Sequence, residues 1–184
     1  MADEDRIPTR FIRVSDESGS RRIAVKVRDG AGPPVVWLGG FRSDMGATKA
    51  RAVDAWAERA GRRLVRFDYS GHGASEGAFA ASTISTWLAD AEAVLDAHAA
   101  ERPVLIGSSM GGWIACLAAR ARLTRGQPPA AGLVLIAPAL DFTEDLMWDM
   151  FPDEIRERFQ AWLLHKNSKL RGLAFSTDHL GDVY

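Results

Sequence analysis

The stretch Val104-Leu105-Ile106-Gly107-Ser108-Ser109-Met110-Gly111-Gly112 limits the possible folds of this chain more than any other. It reads as a short apolar strand, then Gly-x-Ser-x-Gly, then a helix that stays apolar on nearly all sides to Arg122. A nucleophile elbow requires this order: a strand ending in a sharp turn, a serine at the apex, and a helix leaving from it. Gly107 and Gly111 remove side chains that would collide where strand and helix close together. Ser109 is thereby expected to present its hydroxyl at the strand's carboxyl end, where ligands bind in open α/β sheets. There the positive end of the helix dipole favours negative charge that develops nearby. The plain alternative is a tight strand-to-helix turn of small residues, and the flanking strand and helix argue against it. Ser108 fills the variable position and receives no catalytic role.

The rest of the chain supplies the elements that such a turn needs. Short apolar runs alternate with helical patterns, which predicts a mostly parallel sheet with helices on both faces. Arg21 to Arg28 alternates Ile23, Val25 and Val27 with polar residues and reads as a half-buried antiparallel edge strand. Val35 to Leu38, Leu64 to Phe67, Pro103 to Ile106 and Leu133 to Ile136 read as further strands. One helix carries Ala50, Val53, Ala57 and Ala60 on a stripe and stops at Gly61. A second, capped by Ser82 or Thr83, turns Trp87, Ala91, Val94 and Leu95 to the core. Beyond Pro138, Leu146, Met147, Met150 and Phe151 form a short apolar helical face, Pro152 opens a further helix with Ile155, Phe159, Trp162 and Leu163 on its stripe, and residues 166–184 read as a weakly structured tail. No repeat or linker interrupts the sequence, so residues 1–184 are expected to form one domain.

Three motifs in order resemble the α/β-hydrolase family: Leu38-Gly39-Gly40-Phe41 with Ser43-Asp44-Met45, then Phe67-Asp68-Tyr69-Ser70-Gly71-His72-Gly73, then the elbow. Within that family the chain is similar to the branch of acyl-protein thioesterases and serine-aminopeptidase-type domains, and to palmitoyl-protein thioesterases of the mitochondrial type and their bacterial relatives. The resemblance implies an ester or thioester hydrolase that forms an acyl-enzyme at Ser109, with residues 140–165 as a cap-like insertion whose Met147, Trp148, Met150 and Phe151 either line an apolar acyl pocket or pack in an ordinary core. It also implies an oxyanion hole formed by the backbone N–H groups of Phe41 and Met110.

The acid and base are harder to place. The resemblance implies that they follow Ser109 along the chain, each at a strand's carboxyl end, but no convincing strand is legible after residue 165. The C-terminal part of the hydrolase fold, roughly 60 residues at about 30 per strand-helix unit, is therefore expected to be missing. Asp141 and His179 are in the right order, and Ser109–Asp141–His179 is the complete triad the sequence offers. His72 precedes the nucleophile, against that order, and borders the expected site. His98 and His165 each end a helix, where a cation meets the negative end of the dipole. A catalytically inactive fragment or pseudoenzyme that acts as a binding module is the alternative reading.

Composition closes off other classes. Among 184 residues the net charge is −1, with no basic patch that would suit a nucleic acid. Cys116 is the single cysteine, so no internal disulfide forms. Asp3, Glu4 and Asp5 stand where a leader would be apolar or basic, and no apolar run approaches the roughly 18 residues of a membrane span. These features point to the cytoplasm; the resemblance implies a small-molecule or acylated-protein substrate. No cofactor is expected: the glycine-rich stretches miss the dinucleotide and phosphate-loop spacings, and the four histidines lack metal-site spacing.

Overall fold

Short apolar runs, alternating with polar residues in β2 and nearly continuous in the parallel strands, build a six-stranded sheet in the order β1-β2-β4-β3-β5-β6. The computed structural model describes residues 7–16 and 19–140. The chain divides into two units after Leu140, and the elements below belong to the first. They are β1 (Arg10–Asp16), β2 (Gly19–Arg28), β3 (Ala31–Leu38), α1 (Thr48–Arg59), β4 (Arg62–Phe67), α2 (Ile84–His98), β5 (Val104–Ser108), α3 (Met110–Thr124) and β6 (Gly132–Ile136). β3, β4, β5 and β6 run parallel, while β1 and β2 are antiparallel to their neighbours. Among the described residues, no helix is long and apolar enough to cross a membrane.

Two expectations need correction. Residues 21–28 lie within an antiparallel strand, but β2 is not an edge: it pairs with β1 on one side and β4 on the other. The helix after Ser109, expected to be buried because it is apolar on nearly all sides to Arg122, is not enclosed all round: Arg120 is exposed and Trp113, Cys116 and Leu117 are half-buried.

The core lies on both faces of the sheet. Val35, Trp37 and Leu64 pack against Ala50 and Ala57 of α1, with Val53, Val104 and Ile106 around them. Pleating sends Val36, Leu38, Val65 and Leu105 to the opposite face, where all are fully buried beneath α2 and α3. Thr83 caps α2 with a reciprocal pair of hydrogen bonds to Thr86. Asp54 of α1 accepts from Arg28 at 2.8 Å and lies 3.2 Å from the Arg66 guanidinium. Burial pushes its carboxyl up, but the Arg28 hydrogen bond and the charges of Arg66 and Arg28 outweigh that, leaving it below its ordinary value.

The strand order also positions the site. From β3 the chain passes first to β4 on one side and later to β5 on the other. The order in which strands are added therefore reverses between the parallel neighbours β3 and β5, and a crevice opens outside their carboxyl ends. The loop after β3 and the turn after β5 both border it.

Candidate active site

Ser109 follows β5 directly and precedes the first residue of α3. Its φ of 54° and ψ of −122° put a non-glycine residue in left-handed territory. Such a conformation costs on the order of 1–3 kcal/mol and persists only where its surroundings impose it. Here they do. The Ser109 N–H donates to the Ile136 carbonyl at 3.0 Å, while its own carbonyl accepts from Gly112 at 2.8 Å and Ala139 at 3.2 Å. A Cβ at Gly107 would overlap the Gly111 carbonyl, and one at Gly111 would overlap the carbonyls of Leu38 and Gly39. The two glycines are thus what allow α3 to press against the ends of β5 and β3. Ser109 is exposed and Ser108 is buried.

Among the described residues, the non-glycines with positive φ are Arg42 at 55°, Ser109 and Ala137 at 44°. They follow β3, β5 and β6, so backbone strain gathers at one end of the sheet. The loop after β3 lies against the elbow: a Cβ added at Gly40 would stand 3.5 Å from the Ser109 Cβ. A cavity of about 310 Å³ lies there, lined by Gly40, Phe41, Ser108, Ser109, Trp37 and Lys49 among others.

That loop is pinned along its length. Ser43 N–H donates to the Gly40 carbonyl at 3.1 Å and Ala47 N–H to the Asp44 carbonyl at 3.1 Å. Arg42 N–H donates to His72 Nε2 at 3.2 Å, and Met45 N–H to Asp68 Oδ1 at 2.6 Å. Asp68 also accepts from Ala74 N–H at 2.8 Å. Burial pushes the Asp68 carboxyl above its ordinary value, and the Ala74 and Met45 hydrogen bonds offset only part of that rise.

Phe41 is half-buried, with its ring 5.1 Å from Phe79 and 6.0 Å from Trp87. Met110 is fully buried and opens α3, where a helix leaves N–H groups without an intrahelical acceptor. Asp141, His165 and His179 lie outside the described residues.

Neither described histidine is poised to serve Ser109. His72 Nδ1 lies 3.1 Å from the Ser70 carbonyl, which can only accept, so Nδ1 carries the proton. Nε2 then holds a lone pair, which accepts from Arg42. With both ring nitrogens engaged, His72 has none left for a serine hydroxyl. His98 ends α2, just before the start of β5, and so stands at the opposite end of the sheet from Ser109. Burial, helped by the charges of Arg63 and Arg10, lowers its pKa.

Behind His72 stands a buried polar network that sequence reasoning missed. Asp90 of α2 accepts from Ser70 N–H at 2.8 Å and Ser70 Oγ at 2.6 Å, and from Arg21 Nε at 2.9 Å and Nη2 at 2.7 Å. Trp87 Nε1 donates to the Ser70 carbonyl at 3.0 Å. The motif Asp68-Tyr69-Ser70-Gly71-His72-Gly73 was visible as a family likeness. The work of its residues, tying the turn after β4 to the loop after β3, was not. Among the described residues, no cluster of His, Cys, Asp or Glu is arranged to hold a metal ion.

Comparison with known proteins gives a consistent picture. The family described as serine aminopeptidase, S33, matches residues 34–177. The human mitochondrial palmitoyl-protein thioesterase ABHD10 is 33% identical over 138 residues, 75% of this chain and 44% of that protein. A putative hydrolase from Agrobacterium vitis shares 47% identity with a TM-score of 0.77, covering 84% of this chain and 61% of that one. The α/β hydrolase domain-containing protein 10 from mouse shares 31% identity with a TM-score of 0.70, covering 84% of this chain and 58% of its own. The chain spans less than half the length of the curated relatives it matches.

Proposed function

We propose, from the premise that this chain belongs to the serine aminopeptidase (S33) family of α/β-hydrolases, that it hydrolyses carboxylic esters or thioesters through an acyl-enzyme at Ser109. The observation that carries this reading is an exposed serine in left-handed backbone at the head of α3, beside the crevice where the strand order reverses. Ser109 Oγ attacks the acyl carbonyl, and a base takes its proton and returns it to the departing alcohol or thiol. Water, activated by the same base, then releases the acid. The N–H groups of Phe41 and Met110 are proposed to hold the oxyanion; the nearness of Gly40 to Ser109, whose Cβ would stand 3.5 Å from a Cβ added at Gly40, supports this pairing.

Asp141 and His179 are proposed as acid and base on chain order. The relatives' name, palmitoyl-protein thioesterase, supports an acyl group carried by a small molecule or a protein as the substrate class. No feature favours a nucleic acid. The cytoplasm is proposed as the setting on the strength of the single cysteine Cys116, whereas the relatives named above are mitochondrial. A second reading, a hydrolase fold that binds without turnover, draws on one observation: neither described histidine is available to Ser109.

The experiment is hydrolysis of a chain-length series of nitrophenyl esters and matching thioesters by the purified protein and by His179→Ala. The expected result is turnover of both classes that is lost in the variant. Turnover unaffected by His179→Ala would remove the proposed base. Binding of the esters without any hydrolysis would establish the second reading.

A further inference from the structure

We propose that His72 is a positioning residue that holds the loop after β3 in its working geometry, its neutral imidazole accepting at Nε2 from the backbone N–H of Arg42. This rests on the reading above, in which the Phe41 N–H serves the oxyanion. Peptide units are planar and trans, so fixing one end of a unit fixes the direction of the other. The unit joining Gly40 to Phe41 contains the Phe41 N–H, and its carbonyl accepts from Ser43 N–H at 3.1 Å. The following unit, joining Phe41 to Arg42, donates to His72 Nε2 at 3.2 Å. Two successive planes are therefore pegged, the second by a side chain from another strand's loop.

The peg is needed because Arg42 has a φ of 55°, a conformation a non-glycine residue leaves readily when nothing holds it. The Arg42 guanidinium lies 5.3 Å from the Phe79 ring centroid and adds a contact on the same side. His72 is in turn fixed. Its Nδ1–H donates to the Ser70 carbonyl, and Phe79 and Trp87 stand edge-on to its ring at 5.1 and 5.4 Å. Ser70 is anchored to Asp90, and Asp90 to Arg21. A chain of hydrogen bonds thus runs from β2 and α2 to the loop that faces Ser109.

Two variants separate the hydrogen bond from the packing. His72→Phe keeps a ring among Phe79 and Trp87 but offers no acceptor. His72→Gln places an amide oxygen near the position of Nε2. For a nitrophenyl ester, His72→Phe is expected to lower kcat by about 10²-fold with KM little changed, as for the loss of one oxyanion donor. His72→Gln is expected to recover most of that loss. A readout independent of turnover is nitrogen-15 NMR of the folded protein. It should show the His72 proton on Nδ1 and an Arg42 amide signal that shifts in His72→Phe and returns in His72→Gln. A proton on Nε2, or a folded His72→Phe with unchanged kcat and Arg42 amide, would overturn the proposal. If the unaltered protein hydrolyses no ester, the reading of function fails, while the tautomer and the Arg42 signal still decide whether the peg exists.

Discussion

Replacing Ser109 with alanine is expected to lower ester turnover by about 10⁴- to 10⁶-fold, the range seen when the nucleophile of a serine hydrolase is removed. Ser109 is exposed and heads α3 beside the loop after β3, whereas Ser108, the other serine of the elbow, is buried. Alanine fits the same left-handed backbone no worse than serine, and the hydrogen bonds that hold the turn run through main-chain atoms. The fold should therefore survive, and thermal unfolding of the variant should match that of the parent. Ser108→Ala provides the contrast. Its side chain is buried, and turnover should remain. The measurement is steady-state hydrolysis of one nitrophenyl ester by the three proteins at equal concentration. Equal losses in both variants would point to general damage at the turn instead of a lost nucleophile.

Replacing Asp90 with alanine is expected to destabilise the fold by about 3–5 kcal/mol, the usual cost of removing one partner of a buried ion pair. For a chain of this size that corresponds to a fall of roughly 6–20 °C in Tm, at about 2–4 °C per kcal/mol. Asp90 is fully buried and accepts four hydrogen bonds, two from Arg21 and two from Ser70. Without it, Arg21 Nε and Nη2 lose the carboxylate that accepts from them at 2.9 and 2.7 Å, in an interior where Arg21 itself is 7% exposed. Replacing Arg21 and Asp90 together by Met and Leu should cost less than Asp90→Ala alone, because the buried guanidinium is removed together with the carboxylate that accepts from it. Differential scanning calorimetry of the single and double variants decides this. A double variant less stable than the single one would mean that the packing of the Arg21 stem, rather than its charge, is what matters.

The elbow was legible because three constraints coincide within one short stretch: an apolar strand, two glycines at fixed spacing, and a helical run. β1 was not. In Arg10–Ser15, Val14 is buried, Ile12 half-buried and Phe11 45% exposed, so this edge strand leaves almost no apolar periodicity to read. The alternation of β2 was read as the mark of an edge. Alternation reports which faces meet solvent, and a strand can have partners on both sides and still show it.

The polar network was invisible for another reason. Arg21 and Asp90 stand 69 residues apart and meet only once β2 and α2 are packed. The same holds for His72 and Arg42, 30 residues apart. Sequence placed His72 near the site by its glycine-rich turn, but its tautomer and partners depend on which carbonyl and which N–H the fold brings to its ring.

The central claim is that Ser109 is the nucleophile, and covalent capture tests it most directly. The purified protein is incubated with a fluorophosphonate probe, and the modified residue is mapped by peptide mass spectrometry. One adduct on Ser109, absent from Ser109→Ala and retained in Ser108→Ala, is the predicted result. An adduct on Ser108 or Ser43, or none on Ser109 in protein shown to be folded, would contradict it.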